Sequence, residues 1–343
     1  MMRPPLLLAA HGTRDQAGVH AFVALAGRVG KLAAADGTRV AGGFIELSAP
    51  PLRDAVAELV DGSPGPVVAV PLMLSAAGHA KGDIPAALAR ERTRHAGLSF
   101  TYARPLGPHP ALIELLAARI DAVAGDLGGC QGGERVRPPV ASDLGGCQGD
   151  RPPVASDLGG CQGDRPPVAS DLGGCQGGRP PVASTAPPAV LVVGRGSTDP
   201  DANADVVKTA RLLWEGRDYP LAEAAFVSLA RPGVAEGLER CRLLGARRIV
   251  VARYFLFPGV LPDRVARQAA RYAAAHPGLD IRCADVLGDC DEIAALVYDR
   301  YHEALTGDIR MNCDMCVYRI AMPGFEHRVG VPAEPHQHPH DHG

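Results

Sequence analysis

The chain has 343 residues, and 46% of them are hydrophobic, which is enough to build two ordinary globular cores. Its formal net charge is -3, so the sequence lacks the basic excess typical of proteins that bind nucleic acid or membrane surfaces. The first apolar run is far too short to span a membrane. We therefore expect a cytoplasmic protein whose partner is a small molecule.

Residues 1–125 alternate apolar strand patterns with amphipathic helix patterns. The strands are continuous apolar runs, which is typical of parallel sheets covered by helices on both faces. This half is predicted to be an open, doubly wound α/β domain that binds ligands at the carboxyl ends of its strands. Its predicted strands begin near Leu6, Val40, Pro66 and Leu98, and its predicted helices cover residues 16–34, 51–61, 84–95 and 110–124.

Residues 126–187 differ in composition from the rest of the chain. The segment PPVASDLGGCQGDR recurs, with Cys147, Cys161 and Cys175 at equal spacing and Cys130 in a diverged copy. Few large apolar side chains are present to offset the entropy of ordering this segment, so we predict a disordered linker. The alternative is that the four cysteines bind metal, but they lack the paired spacing of a compact site.

Residues 188–306 repeat the pattern of the first half, so the chain is predicted to be one domain written twice. LLLAAHGTRD opens the first copy and VLVVGRGSTD opens the second, which places Arg195 where the first copy has His11. A second histidine, His79 in PLMLSAAGHAKGDIP, has no counterpart in RYFLFPGVLPDRV. This asymmetry predicts one working site and one degenerate half. The predicted helices of the second copy cover residues 202–215, 234–244, 262–276 and 290–304.

His11 follows the first predicted strand and His79 follows the third, so both are expected at the carboxyl edge of the sheet. A neutral imidazole can ligate a divalent metal or accept a proton near pH 7. The neighbouring glycines would let a ligand approach the backbone. The alternative is that each histidine only caps a helix or satisfies a loop.

Other polar residues are predicted at the same edge. Glu46 follows the second strand, where its carboxylate could complete a metal site or take up protons, or only face solvent as a helix N-terminal charge. Asp83 is expected to cap the helix after His79. The bases Arg14, Arg53 and Lys81 could pair with the carboxylates of an acidic ligand.

The segments AHGTRD, FIELSAPPL and PLMLSAAGHAKGDIP, together with the duplicated halves, resemble the sirohydrochlorin chelatases in their long, fused form. The resemblance implies two α/β domains facing across a cleft, with His11 and His79 as the catalytic, metal-binding pair and Glu46 assisting. It also implies insertion of a divalent metal, Co2+ or Fe2+, into a polycarboxylated tetrapyrrole for cobalamin or sirohaem synthesis. Cobalt is the first choice. The sequence shows no nucleotide-binding glycine motif at a strand end.

The C-terminal segment, residues 307–343, carries an MxCxxC motif with Cys313 and Cys316. In the resembled family this motif is associated with an iron–sulfur cluster. Two thiolates cannot complete a four-cysteine cluster, so the other ligands would come from a second subunit of a homodimer, other cysteines or other donors. A packing accident or a zinc half-site is the alternative.

Four histidines alternate through the last eight residues and could collect divalent metal from a flexible tail, or be idle. A non-enzymatic metal chaperone or sensor is therefore the rival function, in which this tail and the CxxC do the work.

Overall fold

The computed structural model describes residues 3–60, 64–125 and 187–307, together with residues 327 and 329. In the first half the described elements are β1 (Leu6–Ala10), α1 (Gln16–Ala34), β2 (Val40–Phe44), α2 (Leu52–Val60), β3 (Pro66–Pro71), a π-helical segment (His79–Asp83), α3 (Ile84–Arg94), β4 (Ser99–Tyr102) and α4 (Pro110–Ala124). In the second half they are β5 (Ala189–Gly194), α5 (Pro200–Glu215), β6 (Ala222–Phe226), α6 (Val234–Leu243), β7 (Arg248–Arg253), α7 (Val260–Ala275), β8 (Asp280–Ala284) and α8 (Asp291–Thr306).

The two halves contain parallel sheets of the same topology. The strand orders are β2-β1-β3-β4 and β6-β5-β7-β8. Leu8 of β1 lies opposite Gly42 on one side and Val70 on the other, which sets the register of the first sheet. The predicted pair of doubly wound α/β domains is confirmed. Strand order reverses between β1 and β3, and ligands of such sheets bind at the carboxyl ends next to this point.

Burial explains why the strands are apolar without alternation. All five residues of β1 are buried, because helices cover both faces of the sheet. Leu7 and Ala9 belong to a cluster confined to the first half, whereas Leu6 and Leu8 belong to a cluster that also contains Val192 of β5. The halves therefore share a core. The prediction of two separate cores, which was based on chain length, is wrong in this respect.

The shared core results from an exchange of helices between the halves. Helix α4 packs against β7 and β8, and helix α8 packs against α1 and β3. Arg300 of α8 is 1% exposed and donates to the backbone carbonyls of Pro105 and Leu106 at 3.0 and 2.8 Å. Arg104 forms two hydrogen bonds with Glu303, at 2.8 and 2.7 Å. The described residues of both halves consequently form one compact unit.

Several predicted segments lie outside the described residues: the repeat linker, Cys313 and Cys316, and the histidine tail. Among the helices that the structure describes, none is long and apolar enough to cross a membrane.

Candidate functional site

The two predicted histidines lie side by side at the carboxyl edge of the first sheet. His11 follows β1 directly, and His79 begins the π-helical segment after β3. Their ring centroids are 3.9 Å apart, with the ring planes at 63°. His79 is 6% exposed and His11 is partly buried. The structure thus brings both side chains to the point of the sheet where its topology favours ligand binding.

Glu46 joins this pair from the loop after β2. Its Oε1 lies 2.8 Å from Nε2 of His11, and its backbone N–H donates to the carbonyl of His11 at 3.1 Å. Gly12 makes this close approach feasible. A Cβ at this residue would lie 1.9 Å from the carbonyl oxygen of Glu46, and its φ of +117° is one that side chains disfavour. Glu46 is thus paired with His11, while its side chain remains 43% exposed to solvent.

Asp83 holds the ring of His79. Its Oδ2 lies 2.6 Å from Nδ1 of His79, at the other end of the π-helical segment. The prediction that Asp83 caps the next helix is wrong, because its backbone is itself helical and its side chain makes no capping hydrogen bond. In the tautomer that donates Nδ1–H to Asp83, Nε2 of His79 carries the lone pair that a metal or a proton needs.

Lys81 connects the His79 segment to the second half. Its Nζ lies 2.7 Å from Asp199 and 3.1 Å from Asp201, both at the start of α5, and the side chain of Asp199 is only 2% exposed. Burial by itself would lower the pKa of Lys81, but hydrogen bonds and charge from the two aspartates outweigh burial and raise it. Lys81 is therefore engaged within the fold, and not simply available to an acidic ligand as its sequence position suggested.

The other two predicted bases lie at the surface. Arg53 pairs with the neighbouring Asp54 at 3.2 Å, and both side chains are more than half exposed. Arg14 is exposed in the loop that follows His11.

A small cavity of about 50 Å³ lies where the two halves meet at this edge. The first half contributes His79 and the loop before it. The second half contributes Arg195 and the beginning of α5. The lining residues are Ser75, Ala77, Gly78, His79, Arg195, Gly196, Ser197, Ala202, Asn203, Val206 and Leu229.

Arg195 is the site residue that the sequence analysis undervalued. It follows β5 as His11 follows β1, and its carbonyl accepts a hydrogen bond from the backbone N–H of Ser228 at 3.0 Å. Burial lowers the pKa of Arg195, while the nearby carboxylates of Asp83 and Glu46 act in the opposite direction. The half described as degenerate therefore places a cation beside the carboxylates of the predicted site. The alignment of HGTRD with RGSTD identifies this position, although the replacement of histidine by arginine there favours a degenerate half.

In the described part of the chain, no three histidine, cysteine, aspartate or glutamate side chains form a group that could hold a metal ion. The arrangement offers two imidazoles, each next to a carboxylate, rather than a closed structural metal site. Such a pair can exchange protons and offer open coordination positions to a metal that other donors also bind.

Comparisons with known proteins identify relatives of this chain. The chain is 31% identical over 279 residues to a sirohydrochlorin cobaltochelatase of Priestia megaterium, a match that covers 81% of this chain and 74% of the relative. A sirohydrochlorin ferrochelatase of the same organism is 22% identical over 286 residues, covering 80% and 85%. The solved structure of SirB from Bacillus subtilis with Fe3+ aligns with a TM-score of 0.61 and 20% identity, covering 91% of this chain and all of that one.

Both halves also match one family model. The CbiX model matches residues 5–123 and again residues 189–304, which confirms that the chain is a duplication. Together the two matches cover most of the chain, and the chain therefore belongs to the CbiX family.

Proposed function

We propose that the protein is a sirohydrochlorin chelatase, an enzyme that inserts a divalent metal into sirohydrochlorin. The observation that carries this proposal is the pair His11 and His79, 3.9 Å apart at the sheet edge and each bonded to a carboxylate, in a chain of the CbiX family. The relatives named above act on sirohydrochlorin with cobalt or iron.

The reaction requires two pyrrole N–H bonds to break while the metal forms bonds to the ring nitrogens. Metal and tetrapyrrole are both substrates, so the protein must hold the metal only briefly. His79, with Asp83 fixing its ring, is suited to present Nε2 to the incoming metal. His11 is suited to accept a pyrrole proton at Nδ1, because its Nε2–H donates to Glu46 at 2.8 Å and this carboxylate stabilises the imidazolium that results. The protons then leave to solvent along the partly exposed carboxylate of Glu46.

Cobalt is our first choice of metal and iron is the alternative. Imidazole and carboxylate ligands accept both ions, so the site residues do not discriminate between cobalt and iron. The preference rests on the cobaltochelatase relative at 31% identity, against 22% for the ferrochelatase of the same organism.

The iron–sulfur cluster at Cys313 and Cys316 stays a prediction, since both residues lie outside the described ranges. Among the described cysteines, burial raises the pKa of Cys283 and Cys290, which disfavours the thiolate form that binds iron. No step of the proposed reaction uses a cluster. The cytoplasmic location and the homodimer also stay predictions.

Anaerobic conversion of sirohydrochlorin, followed by visible absorbance with Co2+ and Fe2+ in separate reactions, tests the proposal. A variant with alanine at the four tail histidines serves as the control for the metal-carrier alternative. We expect many equivalents of product per protein in both samples, and the faster metal identifies the activity. Saturation at one equivalent, or loss of function with the tail alone, would favour the metal carrier.

A further inference from the structure

The second half lacks the two histidines but contributes a cation to the site. Arg195 occupies the position of His11 and lines the same cavity as His79. It lies near the carboxylates of Glu46 and Asp83, and each of these is already bonded to a histidine, at 2.8 and 2.6 Å. Within the described residues, Arg195 donates no hydrogen bond to either carboxylate. Its guanidinium is attracted by the charges of both carboxylates, and its donors are not used to bind them.

The backbone holds Arg195 as firmly as it holds His11. Gly196 has a φ of +85°, and a Cβ there would lie 1.8 Å from the carbonyl oxygen of Ser228. Ser228 also donates from its hydroxyl to the carbonyl of Arg195 at 3.0 Å. These contacts repeat those of Gly12 and Glu46 in the first half. These contacts fix the loop after β5 and therefore the position of the Arg195 side chain, because the end of β5 cannot shift without disturbing the sheet.

An apolar side chain lies beside this cation. Leu229 lines the same cavity, is 54% exposed and has a φ of +59°, which is uncommon for a residue with a branched side chain. Leu47 has the corresponding conformation in the first half, with a φ of +66° and 47% exposure. An exposed leucine that shares a cavity with a half-buried cation suits a ligand with an apolar ring and an anionic periphery.

We propose that Arg195 binds a carboxylate of the tetrapyrrole and thereby positions the macrocycle against the His11–His79 pair. This inference rests on the proposed function, because it assumes a polycarboxylated tetrapyrrole as the substrate. A guanidinium presents a planar fork of donors that matches a carboxylate with two parallel hydrogen bonds. Partial burial strengthens such a pair relative to one in water. Arg195 is thus a substrate-binding residue supplied by the half that lacks the histidines.

Equilibrium binding of sirohydrochlorin without added metal, followed by absorbance, tests the inference independently of turnover. Arg195→Gln should raise the Kd about 10-fold to 100-fold, because it removes a charge-assisted hydrogen bond pair. Arg195→Lys should give a smaller increase, since it keeps the charge but not the fork. Arg231→Gln is the matched control, because Arg231 follows β6 in the same half and its side chain is 87% exposed. Its Kd should equal that of the wild type.

Thermal unfolding of each variant separates lost binding from lost folding, and Arg195→Lys keeps the test valid if the glutamine variant does not fold. An unchanged Kd for a folded Arg195→Gln variant would overturn the inference, even if the wild type turns over sirohydrochlorin normally. Failure of the wild type to turn over would instead overturn the proposed function. In a functioning enzyme, we expect the variant to show a raised KM for sirohydrochlorin and no rise in the KM for the metal.

Discussion

Replacing Asp205 with asparagine should stabilise the protein, and by more at pH 8 than at pH 5. Asp205 lies on α5 and is 7% exposed. Burial raises the pKa of its carboxyl from 3.8 to about 6, and the charge of Asp201 adds to this increase. A hydrogen bond from the backbone N–H of Ala76 and the charge of Lys81 act in the opposite direction. The folded protein thus binds this proton more tightly than the unfolded chain does. Its contribution to stability is complete below pH 3.8 and is lost as the pH rises through about 6.

The magnitude follows from the two pKa values. At pH 8 the carboxylate is ionised in both states, and the penalty on the folded state is about 3 kcal/mol, since each pKa unit corresponds to about 1.4 kcal/mol. At pH 5 the folded group is mostly protonated and the unfolded one mostly ionised, so the penalty falls to about 1.5 kcal/mol. Asparagine carries no charge and keeps an oxygen that can accept from Ala76.

Urea unfolding of the wild type and Asp205→Asn at pH 5 and pH 8 measures this effect. Asp218→Asn is the control, because Asp218 is an exposed aspartate of the same half, and its free energy of unfolding should change by less than about 0.5 kcal/mol. A lower free energy of unfolding for Asp205→Asn than for the wild type at pH 8 would refute this prediction. That result would mean that the charged carboxylate stabilises the fold through Lys208 and Lys81.

Three further substitutions follow from the site. Lys81→Met should lower the free energy of unfolding by about 3 to 5 kcal/mol, measured in urea, because it leaves the buried Asp199 and the half-buried Asp201 without their cation. An unchanged midpoint would contradict this. Gly12→Ala should abolish most turnover, because the new Cβ must displace the loop that carries Glu46. Gly27→Ala is the control, since a Cβ there meets nothing within 4 Å. Equal turnover rates for the two variants would contradict this prediction. Asp83→Asn should reduce kcat about 10-fold to 100-fold by releasing the ring of His79, with stability nearly unchanged; a wild-type kcat would show that the contact is incidental.

The strands and most helix positions could be predicted because burial imposes their patterns. The five apolar residues of β1 can be covered only by helices on both faces, and the same run recurs in β5. His11 and His79 follow strands that are adjacent in a doubly wound sheet, so their proximity also follows from the topology. Connectivity alone thus brings two residues 68 positions apart to one edge.

The exchange of α4 and α8 could not be predicted, because periodicity identifies the buried face of a helix but not the sheet that covers it. The π-helical segment was also missed. Its hydrogen-bonding pattern places Asp83 against His79, whereas an ordinary helix start would have made Asp83 a cap. The role of Arg195 was also missed, because the sequence does not show that the second copy of the motif lies at the same site as the first. A substitution in the second copy would indicate lost chemistry only if that copy lay away from the site.

The central claim is that one site, built around the histidines of the first half, inserts the metal. The initial rate of anaerobic metal insertion into sirohydrochlorin by the wild type, His11→Ala and His79→Ala tests it most directly, with His20→Ala, an exposed histidine of α1, as the control. We predict that either site variant loses activity by about 100-fold or more while the control retains it. A His79→Ala variant that works at the wild-type rate would contradict the account.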